Sequence, residues 1–341
     1  MNFKYKLSIY TVIGLSIIVS ILIYHRDNID KKATKNQCHE RYVRHLIIKH
    51  RIKPLLVLPD LLNNARFIKA VFLDTRMIKY INCGDYDECV RWSKKTNFIY
   101  MSGDKPGIMK CEYNPNTRSF SKLTLMPDSY KLGSTKWFDI SPDESKIITV
   151  DDTHGIRILN LDTGKITTII KKTIFKHGGL QCISYSPNGE FICFTSQSAN
   201  IYDENEGDHY QDLWVAKSDG SNLKRLGYGL LPEWYLDNNH ILTTKGMGIK
   251  LIIYNTINDT SKVIWKAKRG SSNINNAVVS PNDMDILING PLTYGGGEIK
   301  NNQFNCGYFL LNPSTKKTIK LPWLNRAIGD YTIDYAFVEI G

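Results

Sequence analysis

The sequence predicts an all-β protein, a β-propeller of six four-stranded blades with seven as the alternative, preceded by one N-terminal transmembrane helix. Two observations predict the propeller: a short turn recurs at intervals near 45 residues, and about four strand-like segments fall within each interval. Such a period is the sequence signature of propeller blades. A third observation, an uncharged apolar stretch near the start of the sequence, predicts the helix.

The recurring turn has five copies. Three contain Ser-Pro followed by Asp or Asn, which bends the chain between two antiparallel strands. Two weaker copies lack Ser-Pro, and the five anchor positions are 48, 45, 49 and 45 residues apart. The sixth residue after every anchor is Ile, and we expect these isoleucines to be equivalent and buried between blades. The anchors are Ser93, Ser141, Ser186, Tyr235 and Ser280, and the isoleucines are Ile99, Ile147, Ile192, Ile241 and Ile286.

A third strand follows in each copy, and most of these strands are closed by a second polar turn before a fourth strand leads out. One such unit cannot bury both of its faces, so neighbouring units must pack around an axis. The third strands are predicted at 108–111, 156–159, 213–216, 251–254 and 308–311, and the second turns at 114–116, 162–164, 218–220 and 312–314.

The stretch from Tyr185 to Leu226 contains SPNGEFICFTS and then DLWVAKSDGSNLKRL. It resembles the repeat of TolB-type β-propellers, which are related to WD-repeat proteins and whose pattern runs W-S-P-D-G, an apolar strand, D-[IL]-[WY]-V, D-G and R-x-L. The resemblance is strong in this blade, fair at 137–170 and 279–312, and weak before residue 130. It implies a periplasmic or extracellular binding platform more often than a catalyst.

The segments before the first anchor are expected to supply another blade. Leu46 to Ile48 and Leu55 to Leu58 would begin it, and residues 70–73 and 77–80 would continue it. The C-terminal run from Tyr331 to Ile340 is typical of a single strand. Propellers often close by letting terminal strands share one blade, because a shared blade leaves no exposed edge.

Residues Leu7 to Tyr24 form an 18-residue apolar run without charge, which just spans a hydrocarbon core of about 30 Å as a helix. A cleaved signal peptide is the alternative, but no small residue follows the run as a cleavage site would require. The predicted organisation is therefore a tail at 1–6, a single-pass signal anchor at 7–24, a basic juxtamembrane linker at 25–45 and a propeller domain at 46–341. Lys4 and Lys6 precede the run, as in an anchor with its N-terminus inside, but the flank after it carries more positive residues, so the positive-inside count favours a cytoplasmic domain. The TolB-type resemblance favours the extracytoplasmic, periplasmic side, and we expect the propeller there because the resemblance outweighs the count.

The net charge of +11 is concentrated near the start of the chain. Residues 1–66 hold twelve Lys and Arg against four acids, which leaves only +3 for the remainder. A nucleic-acid binder would carry its basic surface on the folded domain, so the basic segment is expected to meet lipid headgroups and no nucleic-acid partner is expected. Among seven cysteines, Cys83 and Cys89 are near enough in sequence to bridge, with buried thiols as the alternative.

Function in scaffold folds is usually carried by loops. The loops between second and third strands and the exit loops lie on one face, and a ligand or partner site is expected there. Its mixture of Tyr, His and carboxylate suits a polar ligand or a peptide loop. The candidates are Asp152, His154, His177, His209, Tyr210, Tyr228 and Tyr294.

No catalytic residue, cofactor or metal ion is expected at this face. The acidic loop at 195–211 lacks the calcium-loop pattern, and Tyr294 precedes three glycines that lack the Gly-Lys-Ser/Thr ending of a phosphate loop. The sequence therefore favours a membrane-anchored platform that binds a protein or a small polar ligand. A lactonase-like or lyase-like enzyme acting on a sugar or small ester at the central face is the alternative.

Overall fold

The computed structural model describes part of the chain. The described residues are 52–62, 65–72, 75, 77–84, 89–93, 95–151, 153–175, 177, 179–198, 202–203, 207–208, 211–245, 250–266, 274, 276–280, 285–291, 306–321 and 334–339. The predicted anchor at 7–24 and the linker at 25–45 lie outside them. No helix among the described residues is long and apolar enough to cross a membrane.

Antiparallel sheets account for nearly all the regular structure. The first half of the chain contributes β1 (Ile52–Leu62), β2 (Ala65–Phe72), β3 (Met77–Asn82), β4 (Cys89–Trp92), β5 (Phe98–Ser102), β6 (Met109–Asn114), β7 (Ser119–Phe120), β8 (Thr124–Leu125), β9 (Phe138–Ile140), β10 (Lys146–Asp151), β11 (Gly155–Asn160) and β12 (Ile166–Lys171). Two 3-10 turns, at Ser129–Leu132 and Lys172–Ile174, precede β9 and the strand that follows β12.

The second half continues the same pattern, with one short ribbon inserted between the second and third strands of a sheet. Its strands are β13 (Gln181–Tyr185), β14 (Phe191–Gln197), β15 (Tyr202–Asp203), β16 (Gly207–Asp208), β17 (Gln211–Lys217), β18 (Lys224–Tyr228), β19 (Leu230–Trp234), β20 (His240–Lys245), β21 (Lys250–Asn255), β22 (Thr260–Lys266), β23 (Asn276–Val279), β24 (Ile286–Pro291), β25 (Cys306–Leu311), β26 (Thr318–Lys320) and β27 (Asp334–Glu339).

Five sheets of the β-propeller are four-stranded blades, which corrects the predicted count of six four-stranded blades. They are β27-β1-β2-β3, β9 to β12, β13-β14-β17-β18, β19 to β22 and β23 to β26. The remaining large sheet has five strands, because both β7 and β8 pair with β6. Its outer edge is interrupted at Lys122 and Leu123, so a single fourth strand is replaced by two short ones.

The blade β27-β1-β2-β3 joins the two ends of the domain. β27 pairs antiparallel with β1, with Ile52 opposite Glu339 and Val57 opposite Asp334. The C-terminal run therefore forms one strand of a shared blade, as the sequence predicted. The first strands also contact one another in turn, from β4 through β9, β13, β19, β23 and β27 back to β4, so these sheets close into a ring.

The five recurring isoleucines occupy equivalent positions, and this prediction is confirmed. Each pairs across its hairpin with the residue before the anchor; Ile192, for example, lies opposite Tyr185. All five side chains are fully buried. Each belongs to a cluster that includes side chains of the preceding sheet, as Ile192 packs with Ile148 and Val150. The isoleucines therefore fill the space between adjacent sheets.

The Ser-Pro turns owe their shape to hydrogen bonds at both ends. The amide N–H of Ser141 donates to the carbonyl of Lys146 at 2.9 Å, and the Ser141 hydroxyl oxygen accepts from the Lys146 amide at 2.9 Å. Ser186 bonds with Phe191 in the same way. Because the serine hydroxyl satisfies a backbone donor inside the turn, the loop is held in one conformation.

Candidate functional site

The two ends of the ring carry different kinds of connection. We call the end with the first-to-second and third-to-fourth strand turns, such as 141–146 and 218–222, the turn end. The opposite end, with connections such as 152–154 and 172–180, is called the loop end. Three of the predicted site residues are seen at the loop end. His154, His177 and Tyr228 are described, whereas Asp152, His209, Tyr210 and Tyr294 lie outside the described residues.

His154 stabilises the loop in which it lies. Its ring Nδ1 lies 3.0 Å from Asp151 Oδ2, and its amide N–H donates to Asp151 Oδ1 at 2.9 Å. The same carboxylate accepts a 2.5 Å hydrogen bond from Arg157. Burial alone would raise the pKa of Asp151, but the hydrogen bonds from His154 and Thr153 and the charge of Arg157 lower it overall. The sequence analysis predicted Asp152 as the functional carboxylate of this loop. The carboxylate that contacts His154 belongs to the preceding residue, Asp151.

Tyr228 lies between two cations. Its ring is 4.7 Å from the guanidinium of Arg225 and 5.6 Å from the ammonium group of Lys245. Arg225 is fixed by two hydrogen bonds to Asp212, of 2.9 and 2.8 Å. His177 is exposed on the segment before β13. The contacts described for His154 and for Tyr228 lie on different sheets, so these two residues mark separate places at the loop end.

At the turn end, hydrogen bonds connect the turns of adjacent sheets. Glu144, on the turn after β9, accepts hydrogen bonds from the Ser93 hydroxyl and, at 3.0 Å, from the Thr96 hydroxyl of the preceding sheet. Further round the ring, the amide N–H of Asn188 donates to Asn238 Oδ1 at 2.8 Å. These contacts fix the turns relative to one another, so side chains that they carry are rigidly placed.

A cavity of about 450 Å³ opens among these turns. Its walls come from the turns of three successive sheets, beginning with the one that contains β4 and β5. The lining residues are Lys95, Ser141, Pro142, Asp143, Lys146, Tyr185, Asn188, Gly189 and Ser218. Gly189 has φ of 73°, and a Cβ added to it would lie 3.3 Å from Pro142 Cδ, so the two adjoining turns already approach closely at this wall.

Tyr185 is the most buried polar group of the cavity. Its side chain is 2% exposed, and its ring packs with Ile148, Ile192 and Phe194 between two sheets. Its hydroxyl has no hydrogen-bond partner among the described residues. Burial, together with the charges of Asp139 and Asp143, raises the pKa of Tyr185 above its usual value. The phenol is therefore a neutral donor at neutral pH.

The charges of the cavity are two ammonium groups and one carboxylate. Lys95 and Lys146 are exposed at its rim. Asp143 accepts hydrogen bonds from the hydroxyls of Ser141 and Ser145, at 2.6 and 2.9 Å. The bond from Ser141, followed by that from the Ser145 amide, lowers the pKa of Asp143 to about 2. Asp143 is thus ionised at neutral pH, and its carboxylate already accepts hydrogen bonds within its own turn.

A buried ion pair lies on the first strands that line the ring axis. Arg91 Nε is 3.5 Å from Asp139 Oδ1, and the other carboxylate oxygen accepts from the Tyr185 amide at 2.7 Å and the Ser184 hydroxyl at 3.3 Å. Arg91, Asp139 and Ser184 each stand two residues before an anchor, a spacing present in the sequence that the loop-based prediction did not use.

The histidines, acidic residues and cysteines that the structure describes bear on a metal site and on a disulfide. Among the described residues, no group of three or more His, Cys, Asp or Glu side chains is placed to hold a metal ion. Cys83 and Cys89 are buried and are not joined by a disulfide, and they belong to different hydrophobic clusters. The alternative of buried thiols therefore describes this pair.

No protein-family model matches the sequence, and a search of curated proteins found no match. Among solved structures, the chain is similar to one in the crystal structure of a nidogen/laminin complex, with 10% identity over 84% of this chain and 98% of that chain and a TM-score of 0.58. Two oligogalacturonate lyase structures, one from Vibrio parahaemolyticus and one in complex with manganese, are 12% and 11% identical. They cover 78% of this chain and 78% and 73% of theirs, with TM-scores of 0.49 and 0.47. At 10% identity, the nidogen/laminin likeness shows the β-propeller fold alone.

Proposed function

We propose that this β-propeller is a binding platform that takes a polar ligand, or a polar loop of a partner protein, in the cavity at its turn end. The observation that carries the proposal is a cavity of about 450 Å³ shared by the turns of three successive sheets. Ligand sites typically have volumes of about 300–1,000 Å³ and a few well-placed polar groups. The rigid turns supply such groups without needing to reorganise, which favours binding.

We further propose that the platform is attached to a membrane by Leu7 to Tyr24 and that the propeller lies on the extracytoplasmic side. The length and apolar character of that run support the attachment. The resemblance of residues 185–226 to TolB-type repeats supports the side and a non-catalytic role. A protein held at a membrane surface in this way would gather its ligand close to the bilayer.

A cavity-filling variant tests the site. Ser218 lines the cavity, whereas Asp162 lies on the third-to-fourth strand turn of the preceding sheet, is exposed and is not among the lining residues. Wild-type protein is screened by thermal shift against a library of small polar metabolites. We expect every stabilising compound to lose its effect with Ser218→Trp and to keep it with the control Asp162→Trp. Compounds that still stabilise Ser218→Trp, or a wild-type protein that none stabilises, would contradict the proposal.

The loop end is the alternative location, and it is separable by mutation. Alanine at His154, His177 and Tyr210 together changes three residues that the sequence predicted for that end, and none of them is a lining residue of the cavity. Under the proposal, this triple variant keeps the ligand response of the wild type. Loss of the response there, with its retention in Ser218→Trp, would move the binding site to the loop end.

A further inference from the structure

We infer that the cavity recognises a carboxylate group of its ligand, through the Tyr185 hydroxyl and the ammonium groups of Lys95 and Lys146. The inference rests on the proposed function and names the chemistry of the ligand that the same cavity takes. Two independent features carry it. One is a buried hydrogen-bond donor that has no acceptor among the described residues, and the other is the balance of charge in the cavity lining.

The donor is the hydroxyl of Tyr185. Its side chain is 2% exposed and lines the cavity, and its hydroxyl has no acceptor among the described residues. Buried polar groups in folded proteins are nearly always hydrogen-bonded, so an exception calls for a partner from outside the fold. The phenol stays protonated at neutral pH because burial raises its pKa. The group that pairs with this hydroxyl must therefore be a hydrogen-bond acceptor.

The repeat itself does not require an unsatisfied donor at this position. Trp234 is the equivalent residue of the next sheet, since it also precedes an anchor and pairs with the recurring isoleucine, Ile241. Its indole N–H donates to the Ser184 carbonyl at 3.2 Å. The fold thus satisfies the donor in one sheet, whereas in the other sheet the donor belongs to a cavity-lining residue and has no partner among the described residues.

The charge balance selects the kind of acceptor. Two ammonium groups and the Asp143 carboxylate leave the lining with one net positive charge. The neighbouring carboxylate of Glu144 is bonded to Ser93 and Thr96 of the preceding sheet. A singly charged carboxylate neutralises this lining, whereas a phosphate dianion would leave it with excess negative charge and be repelled more strongly by Asp143. Charge-assisted hydrogen bonds to such an anion are also the stronger ones.

Binding of small probes to the full-length, detergent-solubilised protein tests the inference. The probes are N-acetylglycine, its uncharged amide N-acetylglycinamide, and inorganic phosphate, each titrated at constant ionic strength into the range of about 10 mM. We expect wild-type protein to bind the carboxylate more tightly than the amide and than phosphate. Tyr185→Phe should weaken carboxylate binding about tenfold, because a hydrogen bond to a charged group is lost. Lys95→Gln and Lys146→Gln should each weaken it as well.

Tyr254→Phe is the matched control. The Tyr254 hydroxyl donates to the Tyr228 carbonyl at 3.2 Å, away from the cavity lining. This variant should keep the wild-type affinity but melt at a lower temperature, since it loses a satisfied hydrogen bond. Tyr185→Phe should melt no lower than the wild type, because the hydroxyl that it removes makes no hydrogen bond to the described residues.

The possible failures are distinguishable. Equal affinity for the carboxylate and the amide, unchanged affinity in Tyr185→Phe, or tighter binding of phosphate would each overturn the inference. The proposed function would survive those results if Ser218→Trp still abolished probe binding. Probe binding that persists in Ser218→Trp, or wild-type protein that binds none of the probes, would overturn the inference, and the first of these would also contradict the proposed function.

Discussion

The guanidinium of Arg91 lies 3.5 Å from the carboxylate of Asp139, which stands at the equivalent position on the first strand of the next sheet. Both side chains are nearly buried, at 11% and 8% exposed. Arg91 also donates to the Ile183 carbonyl at 3.4 Å, on the first strand beyond. One arginine therefore links three successive sheets beside the ring axis.

Removing one partner of this pair should be costly. Arg91→Met leaves the Asp139 carboxylate buried without its cation, and we expect a loss of about 3–5 kcal/mol in the free energy of unfolding. The double variant Arg91→Met, Asp139→Leu should lose less than the sum of the two single changes. Urea unfolding of the four proteins measures the coupling, and strictly additive losses would show that the two side chains do not stabilise each other.

The recurring isoleucines give a second prediction. Ile192 is fully buried between two sheets, so Ile192→Ala should lower the free energy of unfolding by about 2–5 kcal/mol. Ile257 is the control, because it is 72% exposed on a turn and its replacement by Ala should cost less than about 0.5 kcal/mol. A similar loss for both variants in urea unfolding would refute the packing described for Ile192.

Much of this packing could be predicted from the sequence, because it depends on local signals. The turn at Ser141, the apolar residue before it and Ile147 after it define a hairpin within a few residues, and the period repeats that hairpin round the ring. The Arg91–Asp139 pair could not be found in this way. Its members are 48 residues apart, and only the stacking of two sheets brings them together.

The candidate site was less predictable for a related reason. The prediction of a site at the loop end was based on long loops and histidines. Lys95, Asp143 and Ser218 are polar residues of short turns, and no sequence signal marks them as part of a site. They form a cavity only because turns of three sheets converge. Nor does the sequence around Tyr185 distinguish it from Trp234, since both are aromatic residues before an anchor, and only the packed structure shows whose donor is satisfied.

The contribution of the Asp143 carboxylate to the free energy of unfolding should depend on pH in the acid range. Its pKa is lowered from 3.8 to about 2, so folding favours the ionised form. The resulting stabilisation is present above about pH 4 and is lost as the pH falls through 2. In urea unfolding, Asp143→Asn should therefore be less stable than wild type at neutral pH, and the difference should shrink towards pH 2. A difference that stays constant over this range would show that the Asp143 charge does not contribute.

The N-terminal segment gives a prediction that concerns the whole chain. With Leu7 to Tyr24 as a spanning helix, the protein should stay with membranes during carbonate extraction, and a variant lacking residues 7–24 should be released. A reporter that is active only outside the cytoplasm, fused after Lys35, is expected to be active. Release of the full chain by carbonate would exclude the anchor, and a silent reporter would place the domain on the cytoplasmic side.

The pairing of β27 with β1 has a consequence for how the protein is made. During translation, β1 and its neighbour β2 are made one after the other, but its other neighbour, β27, is synthesised almost three hundred residues later. Until then, the hydrogen-bonding edge of β1 is open to any other strand, which is a route to aggregation. The ring therefore cannot close until β27 has been synthesised, and a chain that stalls before residue 334 would hold nearly every sheet and still lack the strand that completes the circle.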